Sequence, residues 1–318
     1  MSRILAAAFL AIAAGCAMRP PHPETFTFAA LGDTPYDARE EIDFDAMLGR
    51  ISAEPHAFVV HVGDTMAGGG THCADALYAD RKRRFDASRH PFVLTPGDND
   101  WTDCRRESNG RRDPLERLAK LREVFFADAF SLGRTRMPLA VQESCAERSK
   151  IGCVCPALPE NRLWTKAKVV FATIHVVGSN DNRGFDAASD AEQRCREAAN
   201  LAWLERAFRL AGTEGMRGLV IAAQMNPFAS YAGKVYDPLK ARVAAEAKRL
   251  ARPVLFVHGE SHTYRFDRPF RDEAGARVGN VRRLEVFGSP QVGWVRVTVD
   301  PNDPDLFRAE PMGAPAPG

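Results

Sequence analysis

Three glycine–aspartate turns in the N-terminal third of the chain each follow a short apolar run. They read FTFAALGDTPYD, FVVHVGDTM and FVLTPGDNDW, and they place Asp33, Asp64 and Asp98 just beyond a predicted strand end. Carboxylates that are buried together have raised pKa values, because they are desolvated and repel one another, unless a cation neutralises them. Carboxylate oxygens are good ligands for hard divalent cations. The pattern therefore predicts a metal site.

Two later segments also carry polar side chains after an apolar run. LVIAAQMNP contains Gln224 and Asn226, and VLFVHGESHTYR contains His258, Glu260 and His262. Any one of these segments is weak evidence, since glycine and aspartate are common in ordinary turns. Five such segments in one chain predict a site at the ends of strands.

Strand and helix patterns alternate along most of the sequence. The predicted strands are short, mostly rich in Val, Phe and Ile, and cover residues 26–31, 58–62, 92–95, 169–177, 219–223 and 254–257. Helical patterns cover residues 43–51, 195–211 and 237–251. The alternation predicts parallel strands joined by helical crossovers, and the carboxyl ends of such strands gather functional groups at one edge of the sheet.

The order of these segments resembles that of the calcineurin-like metallophosphoesterases. The blocks of that family are Asp-x-His, Gly-Asp, Gly-Asn-His-Asp/Glu, a lone His and Gly-His-x-His, and the resemblance covers about residues 28–270. It implies a single α/β domain, a two-layered β-sandwich flanked by helices, with a dinuclear metal centre on the strand-end loops. It also implies a phosphoric ester hydrolase in which metal-bound hydroxide attacks phosphorus.

The resemblance implies six metal-ligand positions, which in this chain are Asp33, Asp64, Asp98, Gln224, Glu260 and His262. Three of them depart from the family pattern, since Asp98 replaces Asn, and Gln224 and Glu260 each replace His. The cofactor expected from this oxygen-rich set is one or two divalent ions, Mn or Mg rather than Zn, with Fe as a further candidate.

A ligand His of the first block is missing, because Pro35 stands in its place and has no ligand atom. Water, Tyr36 or His258 could fill the position. His258 is also a candidate proton donor, although its ring could equally lie in the sheet as a hydrogen-bonded core residue.

Two neighbours of Asp98 are assigned to catalysis. Asn99 replaces the His that normally acts on the substrate, and Asp100 is expected to orient the loop. Four acidic ligands would cancel the charge of two divalent cations, so a small phosphoester substrate would need other cations. Arg105, Arg106 or Arg265 are placed to help, with Arg105 and Arg265 as the assigned substrate-binding residues. The alternative is a catalytically degenerate relative with a binding or scaffolding role.

The N-terminus predicts export from a bacterial cytoplasm. MSRILAAAFLAIAAGC has a positive residue, a short apolar stretch and a lipobox-like end, which is typical of a lipoprotein signal peptide at residues 1–16. Lipid on Cys16 would tether the protein to a membrane through a Pro-rich segment at 17–25, in the periplasm or at the outer membrane; ordinary cleavage nearby is the alternative. The formal charge of +2 gives no case for nucleic-acid binding.

Six cysteines remain after Cys16, and an even number in an exported chain predicts disulfides. Cys73 and Cys104 follow Asp64 and Asp98 closely, which predicts that they pair with each other. A zinc site from Cys145, Cys153, Cys155 and Cys195 is disfavoured, because CVC lacks the usual spacer.

The predicted domain covers residues 26–300. Residues 105–165 are expected to form an insertion or cap, residues 282–300 an antiparallel hairpin at a sheet edge, and residues 301–318 a flexible tail. The sequence does not predict the substrate, the identity of the metal or the oligomeric state.

Overall fold

The computed structural model describes residues 24–143 and 157–313. The predicted signal peptide, Cys16 and most of the tether lie outside these ranges, as do Cys145, Cys153 and Cys155. None of the helices in the two described ranges has the length and apolar character that spanning a membrane requires.

The elements alternate along the chain as the sequence patterns predict. The strands in the described ranges are β1 (Phe26–Leu31), β2 (Val59–His61), β3 (Phe92–Leu94), β4 (Ala140–Gln142), β5 (Leu158–Lys166), β6 (Val169–Thr173), β7 (Gly218–Ala222), β8 (Val254–His258), β9 (Arg265–Asp267), β10 (Val281–Glu285), β11 (Val295–Val299) and β12 (Phe307–Pro311). The helices are α1 (Ala38–Ala53), α2 (Asp75–Asp86), α3 (Pro114–Phe125), α4 (Gly178–Asp181), α5 (Ala187–Gly212) and α6 (Asp237–Leu250), with 3₁₀ turns at Thr102–Arg105, Glu107–Asn109 and Lys234–Tyr236.

Local sequence signals account for where several helices begin. Asp37 caps α1, because its carboxylate accepts the backbone N–H groups of the first turn. Asp113 does the same for α3, where Pro114 occupies the first helical position. Asp186 caps α5 through the N–H of Ser189. These caps fix the direction in which each helix leaves the strand-end loops.

The strands form two sheets that pack face to face. The five-stranded sheet has the order β12-β11-β1-β2-β3, and the seven-stranded sheet has the order β4-β5-β6-β7-β8-β10-β9. β1, β2 and β3 are parallel, and so are β6, β7, β8 and β10. The carboxyl ends of these parallel strands therefore lie at one end of the sandwich.

Three buried apolar layers hold the sandwich together. Phe28, Phe58 and Phe171 are among the residues that fill the space between the sheets. Helices α1, α2 and α3 cover the outer face of the five-stranded sheet, and α5 and α6 cover that of the seven-stranded sheet. The predicted single-domain α/β sandwich flanked by helices is confirmed.

The segment at 105–165 is not an insertion or cap, because it includes α3 and most of β5. β5 lies inside the seven-stranded sheet, antiparallel to β4 and β6. The sequence pattern does not indicate this strand, because Glu160, Asn161 and Arg162 are polar residues that are buried with partners. Glu160, for example, accepts a hydrogen bond from Arg122 and contacts His175. A strand stabilised by such pairs does not show apolar alternation.

Two predictions for the C-terminal part are wrong. The segment 282–300 is not a hairpin, since β10 pairs with β8 in one sheet and β11 pairs with β1 in the other. Residues 301–313 are not a flexible tail, because β12 pairs with β11 along its whole length and buries Phe307. Pro301 and Pro304 fall in the turn between the two strands, and Pro311 is tolerated because β12 is an edge strand.

The predicted pairing of Cys73 with Cys104 is confirmed. The bond joins the loop after β2 to the 3₁₀ turn after β3 and closes a span of 31 residues. A loop of this size gives a stabilisation of about 3 kcal/mol in the chain-entropy description. Cys195 is also disulfide-bonded.

His61, at the end of β2, is a core residue. Its ring is fully buried beside Phe44, Phe85 and Phe92. The backbone N–H of Gly63 donates to Nδ1, so this nitrogen must carry a lone pair. Burial is the main reason that the pKa of His61 falls from 6.5 to about 3.

Replacement His61→Asn is expected to make the protein less sensitive to mild acid. The pKa of His61 is lower in the folded chain than in the unfolded chain, so the unfolded state takes up the proton first as the pH falls below 6.5. Between pH 7.5 and 5 the wild type should lose about 2 kcal/mol more unfolding free energy than the variant. Denaturant unfolding of both proteins at the two pH values measures this difference, and an equal loss in both would contradict the assignment.

Candidate metal centre

Acidic side chains from both sheets meet at the carboxyl ends of the parallel strands. Asp33, Asp64 and Asp98 follow β1, β2 and β3, and Glu260 follows β8. One carboxylate oxygen from each of Asp64, Asp98 and Glu260 lies within 4.8 Å of the others. The structure thus brings three of the predicted ligands into one compact group, which we call the acidic cluster.

The backbone at four predicted ligands has an unusual conformation. Asp33, Asp64, Glu260 and His262 have φ values of 52°, 54°, 77° and 57°, in the left-handed region that non-glycine residues seldom occupy. Such a conformation costs free energy and is found mainly at functional sites. Here it turns each side chain away from the strand direction and towards the acidic cluster.

Two glycines make room for the carboxylates. A Cβ atom on Gly259 would lie 1.8 Å from Asp33 Oδ2, and one on Gly97 would lie 2.0 Å from Asp64 Oδ1. Any larger residue would therefore displace the carboxylate. The glycine in each Gly-Asp or Gly-Glu turn serves close packing as well as chain reversal.

Asp98, in the acidic cluster, and the neighbouring Asp33 each have one carboxylate oxygen without a hydrogen bond in the described part of the chain. These oxygens, Asp33 Oδ2 and Asp98 Oδ1, are both buried. Burial raises the pKa of Asp33, Asp64 and Asp98 well above the ordinary value, and repulsion from neighbouring carboxylates adds to this. An oxygen-rich group with unpaired buried oxygens fits a hard divalent cation.

Hydrogen bonds fix the orientation of Asp64. Its Oδ1 accepts the backbone N–H of Asn99 at 2.9 Å, and its Oδ2 accepts from Nε2 of Gln224 at 3.1 Å. The hydroxyl of Tyr36 lies 3.3 Å from the same Oδ2. Asp64 is therefore held from both sides of the sandwich at the centre of the site.

Gln224, a predicted metal ligand, turns its amide nitrogen towards the acidic cluster, and not the predicted ligand oxygen. Its Oε1 accepts the backbone N–H of Gly178 at 2.8 Å, and a backbone N–H can only donate. The amide nitrogen must then face the acidic cluster, where it donates to Asp64 Oδ2 and to Glu260 Oε2 at 2.6 Å. An amide nitrogen has no lone pair for a metal, so Gln224 positions the two carboxylates instead.

Asp100 is a positioning residue and not a catalytic one. Its carboxylate accepts the backbone N–H groups of Asp64, Thr65 and Gly97 at 3.0, 2.8 and 2.8 Å, and the hydroxyl of Thr65 at 2.7 Å. These four hydrogen bonds engage both carboxylate oxygens of Asp100 within the protein. They tie the loop after β3 to the loop after β2, as the expected orienting role requires.

The two arginines assigned to substrate binding, Arg105 and Arg265, both contact other residues of the protein. Arg105 donates to Thr102 and Asn182 and stacks on Phe185, with its guanidinium carbon 3.4 Å from the ring centroid. Arg265 pairs with the buried Glu285 at 2.6 Å.

Arg106 is the better placed cation. Its guanidinium is about half exposed, donates to Gly68 O at 2.8 Å and pairs with Asp103 at 2.6 Å. A Cβ atom on Gly68 would lie 2.5 Å from Asn99 Oδ1 and 2.6 Å from Arg106 Nη1, so these two side chains flank the same glycine. The sequence alone does not show which of Arg105 and Arg106 faces the site, because the two arginines are adjacent in the same loop.

His258, the last residue of β8, and His262, in the loop that follows, have different surroundings. His258 is fully buried beside Phe256, and its Nδ1 contacts Gly259 O at 2.8 Å; burial lowers its pKa to about 3. It matches the core alternative that the sequence left open, and the structure does not bring it into the acidic cluster. His262 instead directs Nε2 towards Asp33, at 3.8 Å from Oδ1.

A left-handed turn at α4 supplies a site residue that the sequence analysis missed. Ser179, Asn180, Asp181 and Asn182 have φ values between 47° and 67°. This strained turn places the Ser179 hydroxyl 3.0 Å from Asp98 Oδ2 and 2.6 Å from Asp103 Oδ1. Consecutive non-glycine residues of this conformation have no sequence signature, although the turn follows a strand as the other site loops do.

The fold of the chain is similar to that of a dimetal phosphatase from Danio rerio. The two structures have a TM-score of 0.55 and 12% sequence identity, and the similarity covers 91% of this chain and 96% of that chain. No protein-family model and no curated protein sequence matches the chain. The similarity confirms the metallophosphoesterase-like fold predicted from the strand-end motifs.

Replacement Gly259→Ala is expected to weaken divalent cation binding without removing any ligand. The added methyl group would force the Asp33 carboxylate out of its place, because the space between the two is only 1.8 Å. Gly279→Ala is the matched control, since a Cβ atom there meets nothing within 4 Å. Calorimetric titration with Mn²⁺ should show at least about tenfold weaker binding for Gly259→Ala alone. Equal affinities for the two variants would contradict the close packing.

Proposed function

We propose that the protein is a metal-dependent phosphoester hydrolase in which Asp64, Asp98 and Glu260 hold a divalent cation. The main support is the compact acidic cluster, with the unpartnered buried oxygen Oδ1 of Asp98 beside Glu260. Mn or Mg suits this set of oxygen ligands better than Zn, and Fe is a further candidate. The similarity to a dimetal phosphatase adds support from the fold.

Each residue around the cluster has a part in this proposal. When bound, the cation would supply electrophilic activation of a phosphoryl oxygen and a nucleophile usable at neutral pH. Gln224 and Ser179 hold Glu260, Asp64 and Asp98 in place through their hydrogen bonds. The half-exposed guanidinium of Arg106, which flanks Gly68 together with Asn99, is the proposed contact for the substrate phosphate.

Asn99 limits the range of good substrates. It occupies the position that the family resemblance gives to a substrate-facing His, and an amide is not a useful proton donor at neutral pH. Small phosphoesters with good leaving groups are therefore the proposed substrate class, because they need little protonation of the departing oxygen.

The proposed location is the bacterial cell envelope. The N-terminal sequence supports export, with lipid on Cys16 as the membrane tether. The disulfide between Cys73 and Cys104 supports the same location, since disulfides persist in oxidising compartments.

Asp64→Asn is expected to reduce hydrolysis to the background level. The change keeps the shape of the side chain but removes the charge at the centre of the cluster. Asp43→Asn is the control, since Asp43 is exposed on α1. Initial rates with p-nitrophenyl phosphate and bis(p-nitrophenyl) phosphate should appear when Mn²⁺ is restored to chelator-treated wild type, and should be absent in Asp64→Asn. Hydrolysis that survives the chelator, or none by Mn²⁺-loaded wild type, would refute the proposed activity.

Arg106→Ala is expected to raise KM about tenfold while changing kcat much less. A phosphate contact that is present before and during the reaction contributes mainly to binding. Arg112→Ala serves as the control, because Arg112 is exposed in the loop before α3. Steady-state kinetics with the better of the two aryl substrates measures the effect. An unchanged KM in Arg106→Ala, together with a raised KM in Arg105→Ala, would assign the role to Arg105.

A further inference from the structure

We infer that Tyr36 is a metal ligand, binding through its phenolate oxygen a second cation that Asp33 and His262 also hold. The inference rests on the proposed metal dependence of the protein and extends it to a residue that the family pattern does not assign. It concerns the side of the site where the ligand His of the first motif is replaced by Pro35.

The distances around the Tyr36 hydroxyl are long for hydrogen bonds. The oxygen lies 3.3 Å from Asp64 Oδ2 and 3.5 Å from His262 Nε2, whereas hydrogen bonds from hydroxyl groups are commonest at about 2.7–2.8 Å. One hydroxyl hydrogen cannot serve both neighbours. Atoms this far apart can instead be neighbouring ligands of one cation, because adjacent ligands around a small divalent ion lie roughly 3 Å or more from each other.

His262 directs a nitrogen lone pair towards the Tyr36 hydroxyl and Asp33. Its Nδ1 lies 2.6 Å from the carbonyl oxygen of Ser289, which can only accept, so Nδ1 carries the hydrogen. Nε2 is then unprotonated in the neutral ring and lies 3.8 Å from Asp33 Oδ1. A carbonyl that fixes the tautomer of a ligating His is a common arrangement around metals.

Asp33 supplies an independent sign of a missing positive partner. The residue is completely buried, and its Oδ2 has no hydrogen-bond partner in the described part of the chain. A carboxylate oxygen in that condition is costly unless a cation lies nearby. Gly259 and Gly288 leave the space in which the Asp33 and His262 side chains lie.

Tyr36 is held in place through its hydroxyl, its backbone and its ring. Asn99 Nδ2 donates to the phenol oxygen at 3.1 Å, which uses one of its lone pairs. The backbone N–H of Tyr36 donates to Glu40 Oε2 at 2.7 Å, which ties the residue to the start of α1. The ring of His262 meets the Tyr36 ring edge-on, with centroids 5.5 Å apart.

Binding would release one proton and involve no oxidation or reduction. The phenol oxygen–hydrogen bond breaks, the proton passes to solvent, and the freed electron pair forms the bond to the cation. Asn99 would thus serve the metal site through Tyr36, in addition to standing where the family has a substrate-facing His.

The experiment compares wild type, Tyr36→Phe and Tyr264→Phe, using full-length chains without the signal peptide. Tyr264 is a control because it stacks on Phe287 and its hydroxyl contacts Ala309 O, away from the acidic cluster. Chelator-treated protein is titrated with Mn²⁺ by calorimetry, and the ultraviolet difference spectrum of phenolate formation is recorded in parallel. Wild type and Tyr264→Phe should bind two Mn²⁺ per chain and show a phenolate signal equivalent to one tyrosine.

Tyr36→Phe should lose the phenolate signal and bind one of the two ions at least about tenfold more weakly. Tyr36→His should recover the weakened site without a phenolate signal, which separates loss of a ligand from damage to the fold. Two ions bound by Tyr36→Phe with wild-type affinity would overturn the inference. So would a wild type that binds one ion with no phenolate signal, and that result would leave the proposed hydrolase activity standing. No binding by wild type would contradict both.

Discussion

The burial of several carboxylates at one edge of the sandwich is the constraint on which the rest of the site depends. Water cannot screen Asp33, Asp64 and Asp98, and their raised pKa values express the cost of holding negative charge there. Neutral residues at these three positions would avoid this free-energy cost. A bound cation offsets the desolvation and the repulsion together, which makes the cost compatible with a stable fold.

Several features far apart in sequence serve this one constraint. Left-handed backbone at the strand ends aims the acids inward, and Gly97 and Gly259 let them lie against the main chain. Gln224 crosses from the seven-stranded sheet to hold Asp64, and Asp100 ties the loops after β2 and β3 together. The sandwich brings the two sets of strand ends together, so the site depends on both sheets.

The sequence predicts the parts of this protein that follow from short-range patterns. Gly-Asp turns after apolar runs identify the acidic cluster, because strand ends of parallel sheets share one edge. β5 escapes prediction since its buried polar residues, such as Glu160, are paired with residues remote in the chain. The orientation of the Gln224 amide cannot be predicted from the sequence either, because it depends on a hydrogen bond from the backbone N–H of Gly178, which lies in the loop after a different strand. Residue type locates the site, and long-range hydrogen bonds decide what each residue does there.

The most direct test of the central claim is the dependence of folding stability on cation concentration. Denaturant unfolding of chelator-treated protein is measured at a fixed neutral pH over a range of free Mn²⁺. If the acidic cluster is relieved by a cation, the unfolding free energy rises with the logarithm of Mn²⁺ concentration, by about 2.7 kcal/mol at a hundred times the dissociation constant of a single site. An unfolding free energy that does not change with Mn²⁺ or Mg²⁺ would contradict the account.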